Sequence, residues 1–216
     1  GGVVPELAAR KHLELIHFVI SEAIEVADVN YQEIDAIAST VAPGLVGSLR
    51  IGSVAARTLC AFYSKPFLGI HHLEGHLSSI LFSENPPKPP FIVLLVSGGH
   101  TELIKVGERR EMERLGRSYD DAAGEAFDKV GRLLGLSYPG GPAIEKAAKE
   151  GDSFKFDLPK CKISDKKGGF LKYDFSFSGL KTAVLRLTEK INKNNVTLPI
   201  EDIAASFERV VEDVLV

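Results

Sequence analysis

FIVLLVSGGHTELIKV, residues Phe91–Val106, is the stretch whose reading decides this chain. Its first six residues, Phe91–Val96, are all apolar, the continuous pattern of a strand buried on both faces. Ser97, Gly98, Gly99 and His100 interrupt that run, and Thr101–Val106 reads as a second short strand. So tight a connection predicts a β-hairpin, with Gly98 and Gly99 supplying positive φ in its turn. Neither glycine carries a Cβ, so a ligand could reach the backbone and successive N–H groups could hold an anion. An ordinary hairpin turn is the alternative.

On the N-terminal side of the hairpin, Glu84–Pro90 reads ENPPKPP, a semi-rigid proline-rich segment that predicts a boundary between two lobes, 1–88 and 89–216. In the first lobe, Glu6–Val29 has apolar residues at Leu13, Ile16, Ile20, Ile24 and Ala27, the spacing of a long amphipathic helix beginning near Pro5. Ile34–Val41 fits a strand. It runs into Ala42-Pro43-Gly44-Leu45-Val46-Gly47-Ser48, a flexible corner before a helical run at Leu49–Tyr63. That corner could face an anion or be a plain strand-to-helix loop. Pro66–His71 is a further strand, feeding His71-His72-Leu73-Glu74-Gly75-His76 and a helix to about Phe82.

On that helix His72 and His76 stand four apart, so both imidazoles share a face, the spacing that offers two nitrogens to one divalent metal. The pattern is not the protease motif H-E-x-x-H, because Glu74 follows His72 by two places. Strand ends in α/β sheets are also where ligands bind.

Beyond the hairpin, Asp120–Gly131 predicts a helix whose first turn is rich in carboxylates, with Asp121, Glu125 and Asp128 on roughly one face. A solvated face is one explanation and contact with ribose hydroxyls or a metal is the other. Leu136–Pro142 is a glycine-bared turn, with Pro142 opening the next helix. Gly151–Tyr173 lacks periodicity and carries Lys155, Lys160, Lys162, Lys166, Lys167 and Lys172, a solvated loop or a phosphate-backbone contact surface. Asp174–Thr182 starts a helix to about Asn192, its Ser and Gly suiting a cap or an anion contact, and Ile200–Val216 is amphipathic.

The bulk numbers bound the class. The chain has 216 residues, 44% hydrophobic and 25% charged, which suits a globular protein with a real core. A net charge of −3 gives no general reason for nucleic-acid binding, so any such contact must be local. Cys60 and Cys161 are too few for a disulfide framework or a cysteine metal cage and point to a reducing compartment. No apolar run approaches a membrane span, and no secretory leader is visible. The opening Gly1-Gly2-Val3-Val4-Pro5, a lone methionine at Met112 and an amphipathic pattern reaching Val216 predict an interior piece of a longer protein.

Together, GGVVPELAARKH, HHLEGH, LVSGGHTEL, DDAAGEAFDKVGRLLGLSYPGGP and DFSFSGLKT resemble the TsaD family, formerly Gcp, through nearly the whole chain and in the family's order. The HHLEGH form is similar to the bacterial and mitochondrial branch, related to the catalytic subunit of the KEOPS complex. The resemblance implies an α/β chain with the actin-like ATPase (ASKHA) fold: two ribonuclease-H-like lobes about a nucleotide cleft, incomplete here at both ends. It implies transfer of a threonylcarbamoyl group from threonylcarbamoyl-AMP to the adenosine 3′ of the anticodon in tRNAs reading ANN codons. Leu95, Val96, Ser97, Gly98 and Gly99 would be the phosphate-side contact, Asp128 and Gly141 further adenylate contacts, and Glu145 a ribose-facing carboxylate. His72 and His76 would be the catalytic metal ligands, for iron or zinc.

Two departures from the family pattern stand out: its first strand–hairpin and its C-terminal segment, with a third, aspartate metal ligand and a nucleotide-contacting asparagine, are absent. The piece alone is therefore expected to bind metal and nucleotide poorly and to be inactive. Implied partners are tRNA, with a TsaB-like paralogue and a TsaE-like ATPase in bacteria or a homodimer in mitochondria, in the cytoplasm. The rivals are an ATPase sharing the fold, a metal-dependent peptidase as in older descriptions of the family as a glycoprotein endopeptidase, and a non-catalytic assembly subunit.

Overall fold

The computed structural model describes residues 4–109, 111–165 and 168–216; Gly1, Gly2 and Val3 of the N-terminal motif and Lys166 and Lys167 of the lysine-rich stretch lie outside the described residues. The chain divides into two compact units, Gly1–Pro86 and Pro87–Val216.

In the first unit α1 spans Pro5–Ala27, with Pro5 at its first turn and Asp28 in the left-handed region (φ 51°) closing its end. A 3₁₀ turn at Tyr31–Glu33 leads into β1, Ile37–Ala42. Helix α2 spans Val46–Tyr63 and returns the chain to β2, Phe67–His71, which lies parallel to β1. This is a β-α-β crossover, the connection a parallel pair requires. The expected corner is therefore shorter than its sequence suggests: Gly47 and Ser48 belong to the first turn of α2. The run after β2 also divides, into α3, His72–Ser78, and a 3₁₀ turn, Ser79–Phe82.

The second unit opens on the hairpin. Strands β3, Phe91–Val96, and β4, Thr101–Val106, pair antiparallel from Phe91↔Val106 to Val96↔Thr101. Two expectations fail here. β3 is the sheet edge and not a strand buried on both faces: Leu95 is 8% exposed, but Ile92, Leu94 and Val96 face outward. Gly98 and Gly99 are also absent from the positive-φ glycines, so they serve the turn by leaving space, not by backbone conformation. A third strand, β5, Met112–Arg117, completes the order β3-β4-β5. Its MERLGR sequence has no alternation of apolar and polar residues, which hid it from a periodicity reading.

Helices α4, Ala123–Leu133, and α5, Gly140–Ala148, follow. The aperiodic lysine-rich stretch contains a small antiparallel pair, β6, Lys162–Ser164, and β7, Phe170–Phe175. Then come α6, Ser178–Lys193, and α7, Ile200–Leu215. The core gathers on α7, where Ile203, Ala204, Phe207, Val210 and Val211 are buried against α4, α5 and α6. Phe207 is fully buried and meets Phe127 edge-to-face at 5.0 Å, the preferred aromatic geometry.

Candidate functional site

α4 reaches the hairpin by close backbone packing. A Cβ at Gly124 would stand 2.7 Å from the Ser97 carbonyl oxygen and 2.9 Å from the Gly98 Cα, so only glycine allows this approach. The Gly124 N–H donates to the Ser97 carbonyl (3.3 Å), and the Ala123 N–H donates to the buried Thr101 Oγ1 (2.8 Å). Two of the orphan donors of the α4 N-terminus are thus satisfied by the hairpin. The turn is held by Ser97, whose Oγ accepts from the His100 N–H (3.0 Å) and whose own N–H donates to the His100 carbonyl (2.8 Å). Built Cβ atoms at Gly98 and Gly99 meet nothing within 4 Å.

α5 crosses α4 through another pair of glycines, with a Cβ at Gly131 lying 3.1 Å from the Gly140 Cα. Asp128 Oδ1 accepts the Gly140 N–H at 2.7 Å and so caps α5, whose N-cap residue, Pro139, has no side chain able to do so.

Between hairpin, α4, α5 and α7 lies a cavity of about 610 Å³, lined by Val96, Gly98, Ala123, Gly124, Phe127, Asp128, Pro139, Gly141, Glu145, Glu208, Glu212 and Leu215. It is of the size a small-molecule site needs. Of the residues expected to hold a nucleotide, Val96, Gly98, Asp128, Gly141 and Glu145 come together on its wall. Leu95 points into the core, Ser97 closes the turn, and Gly99 lies on the turn outside that wall.

Sequence reading missed the contribution of α7. Glu208, Glu212 and Leu215 follow the i, i+4, i+7 spacing of one helix stripe, and two glutamates along it were the available signal. Burial pushes the Glu208 carboxyl above the usual range, and the charges of Glu212 and Glu145 add to this while Lys149 opposes it. Lys149 pairs with Glu145 at 3.4 Å, an exposed contact of small energetic weight.

The carboxylates at the start of α4 divide by role, a correction to the shared helix face. Asp120 and Asp121 precede the helix, which begins at Ala123. Asp120 instead caps α6: its Oδ1 accepts the N–H groups of Phe177 (2.8 Å) and Ser178 (3.2 Å), and its Oδ2 accepts the Ser176 hydroxyl (2.5 Å). The anion suited to the DFSFSGLKT opening is thus the chain's own. Asp121 Oδ1 pairs with Lys129 at 2.6 Å, and Asp121 with Glu125 raises the Lys129 pKa.

In the other unit, the Nε2 atoms of His72 and His76 lie 3.1 Å apart on α3, with both residues exposed. Convergent imidazole nitrogens fit two positions of a divalent cation's shell. Among the described residues no group of three or more His, Cys, Asp or Glu side chains completes that shell. Among the described residues no helix is long and apolar enough to cross a membrane.

The whole chain, residues 1–216, matches the family model described as TsaD, tRNA N6-adenosine threonylcarbamoyltransferase. A protein of that name from Prochlorococcus marinus strain MIT 9515 is 80% identical over 216 residues, covering all of this chain and 61% of the relative. Its counterpart from strain CCMP1986 is 79% identical and that from strain NATL1A 66% identical, each over the same 216 residues and the same 61% of the relative. The chain thus spans 61% of the length of these curated relatives.

Proposed function

The chain belongs to the TsaD family, and from that membership and the cavity of its second unit we propose that it is part of a tRNA N6-adenosine threonylcarbamoyltransferase. The carrying observation is the convergence of Val96, Gly98, Asp128, Gly141 and Glu145 on one cavity. On this reading the donor is threonylcarbamoyl-AMP, and the acceptor is the N6 amine of the adenosine 3′ of the anticodon in tRNAs reading ANN codons. The amine attacks the carbamoyl carbon, the new C–N bond forms, the bond from that carbon to the phosphate oxygen breaks, and AMP leaves as the amine loses a proton.

The donor is already activated, so the protein's work is positioning and charge stabilisation and needs no nucleophilic side chain. The bared turn at Gly98 and Gly99 admits the phosphate to the backbone. Asp128 and Glu145 offer carboxylate oxygens to ribose hydroxyls, and Phe127, Pro139 and Leu215 give apolar walls to the base. A divalent metal, iron or zinc, held in part by His72 and His76, would supply Lewis acidity.

The finer fold that fits this reading is the actin-like one. The parallel β1-α2-β2 unit and the antiparallel β3-β4-β5 sheet followed by helices are each compatible with a ribonuclease-H-like lobe. Partners on this reading are tRNA and, in bacteria, TsaB-like and TsaE-like proteins, or a second copy, in the cytoplasm.

Nucleoside mass spectrometry tests the proposal. Unmodified tRNA is incubated with the full-length protein, threonylcarbamoyl-AMP and partner subunits, with and without chelator. Chelator-sensitive threonylcarbamoyladenosine is the expected product. No product, with phosphate released from ATP regardless of tRNA, would favour an ATPase sharing the fold.

A further inference from the structure

The cavity of the second unit carries side-chain charge of one sign. Its charged side chains are Asp128 on α4, Glu145 on α5, and Glu208 and Glu212 on α7, and among the described residues no lysine, arginine or histidine lines it. Glu208 is half-buried, and Glu212 stands one turn further along the same stripe of α7. Burial first, and then the charges of Glu212 and Glu145, push the Glu208 carboxyl up, so the α7 wall already resists a further negative charge. The cation that opposes them, Lys149, pairs with Glu145 at 3.4 Å and is not part of the lining. What the cavity offers an anion is backbone, at the bared turn of Gly98 and at Gly141 near the start of α5, where the Gly140 N–H is already taken by Asp128.

Partial charges of that kind, facing an acidic wall, suit one negative charge better than two. Donor and product of the proposed transfer differ in this respect. In threonylcarbamoyl-AMP one phosphate oxygen is acylated, so the phosphate carries a single charge. When the bond from that oxygen to the carbamoyl carbon breaks, the oxygen is freed, and the phosphomonoester of AMP ionises to about −1.5 to −2 at neutral pH. The threonyl carboxylate lies beyond the carbamoyl group, on the side of the phosphate away from the nucleoside, and it leaves with the tRNA.

We propose that Glu208 and Glu212 are specificity-determining residues that tell donor from product by charge, admitting the singly charged acyl phosphate and expelling AMP. The inference rests on the transferase reading and adds how the site is cleared for the next turnover. The two glutamates act through space on the phosphate and need not touch it, so their effect weakens as salt is raised.

Titration calorimetry on the full-length protein compares AMP with adenosine 5′-phosphoramidate, a near-isostere whose phosphoryl group carries one charge. The wild type is expected to bind the phosphoramidate about three- to tenfold more tightly than AMP at about pH 7.5 and low salt. That ratio should shrink at high salt, and also in Glu208→Gln/Glu212→Gln, where AMP affinity rises and phosphoramidate affinity changes less. In the transfer assay the same variant should be inhibited by AMP at a correspondingly lower concentration. Glu212→Gln alone, at an exposed position, should move the ratio in the same direction by a smaller factor, which keeps the test independent of folding. Equal ratios in wild type and double variant, or a wild type that prefers AMP, with transfer still active, would overturn the charge discrimination and leave the transferase intact. A wild-type protein that binds neither compound would overturn it by removing the nucleotide reading beneath it.

Discussion

Asp128 does two things that substitution can separate. Its Oδ1 accepts the Gly140 N–H at 2.7 Å and caps α5, while the side chain lines the cavity. Removing the carboxyl in Asp128→Ala leaves the buried Gly140 N–H without its acceptor, which costs about 1–3 kcal/mol. Asp128→Asn keeps an oxygen at the same place. A charge-assisted bond becomes a neutral one of roughly half the strength, so the expected loss is about 0.5–1 kcal/mol. For the ligand the two variants behave alike, because neither offers a charged oxygen to a ribose hydroxyl. That loss is about 1.5–3 kcal/mol, or roughly ten- to 150-fold in Kd.

Urea denaturation and titration calorimetry with AMP, both on the full-length protein, measure the two effects. The expected result is that Ala is clearly less stable than Asn while both bind AMP weakly. Equal stability of Ala and Asn would refute the cap. Wild-type AMP affinity in Asn would refute the nucleotide assignment and leave the cap standing.

Gly140→Ala should destabilise by about 2–3 kcal/mol, read as a fall in the urea midpoint, because the added methyl meets the Phe127 carbonyl and lies 2.6 Å from the Asp128 Cα, backbone that cannot turn away. Its neighbour Gly141→Ala meets nothing within 4 Å and should alter stability by less than about 0.5 kcal/mol while weakening AMP binding at the cavity wall. Glu208→Gln should stabilise the protein at pH 7, with thermal melts across pH as the check. The folded-state pKa of Glu208 is raised, so the fold binds its proton more tightly than the unfolded chain does, and stability falls as pH rises above the ordinary glutamate value of 4.5. The neutral variant escapes that loss, and its advantage should vanish below about pH 4. His76→Ala should lower bound divalent metal and reduce transfer by about 100-fold or more while shifting stability by less than about 0.5 kcal/mol, since the side chain is exposed; metal analysis and the nucleoside assay read the two.

Helices were legible because burial imposes a period, and the ranges of α1, α6 and α7 lie within a few residues of those read from spacing. The hairpin was legible because glycines punctuate it. β5 was not, since an exposed strand of mixed charge such as Met112–Arg117 is stabilised by its own backbone bonds to β4. β7 was hidden in the same way, its edge supplied by a segment more than fifty residues earlier in the chain. The caps exerted by Asp120 and Asp128 escaped for a related reason: a carboxylate near a predicted helix start is read as serving that helix, yet these serve α6 and α5. The cavity's Glu208 and Glu212 were visible only as charges on an amphipathic helix, and the facing element that gives them meaning is α5.

On the proposed reading, this distribution of carboxylates would also orient an adenylate. The α6 N-terminus is already matched by Asp120, and two donors of the α4 N-terminus by the hairpin, so neither is a free anion site. Within the cavity, Glu145, Glu208 and Glu212 place carboxylates on the α5 and α7 walls, and the Glu208 pKa is raised by burial first and then by the charges of Glu212 and Glu145, so a phosphate there would meet like charge. Gly98 and Gly124 add an uncharged stretch of the lining, neither with a Cβ, and Gly98 is exposed. An adenylate in this cavity is therefore better placed with its phosphate toward Gly98 and its hydroxyls toward the glutamates than the reverse. On the same argument Glu208→Gln, although stabilising, lessens the repulsion that a misoriented phosphate would feel.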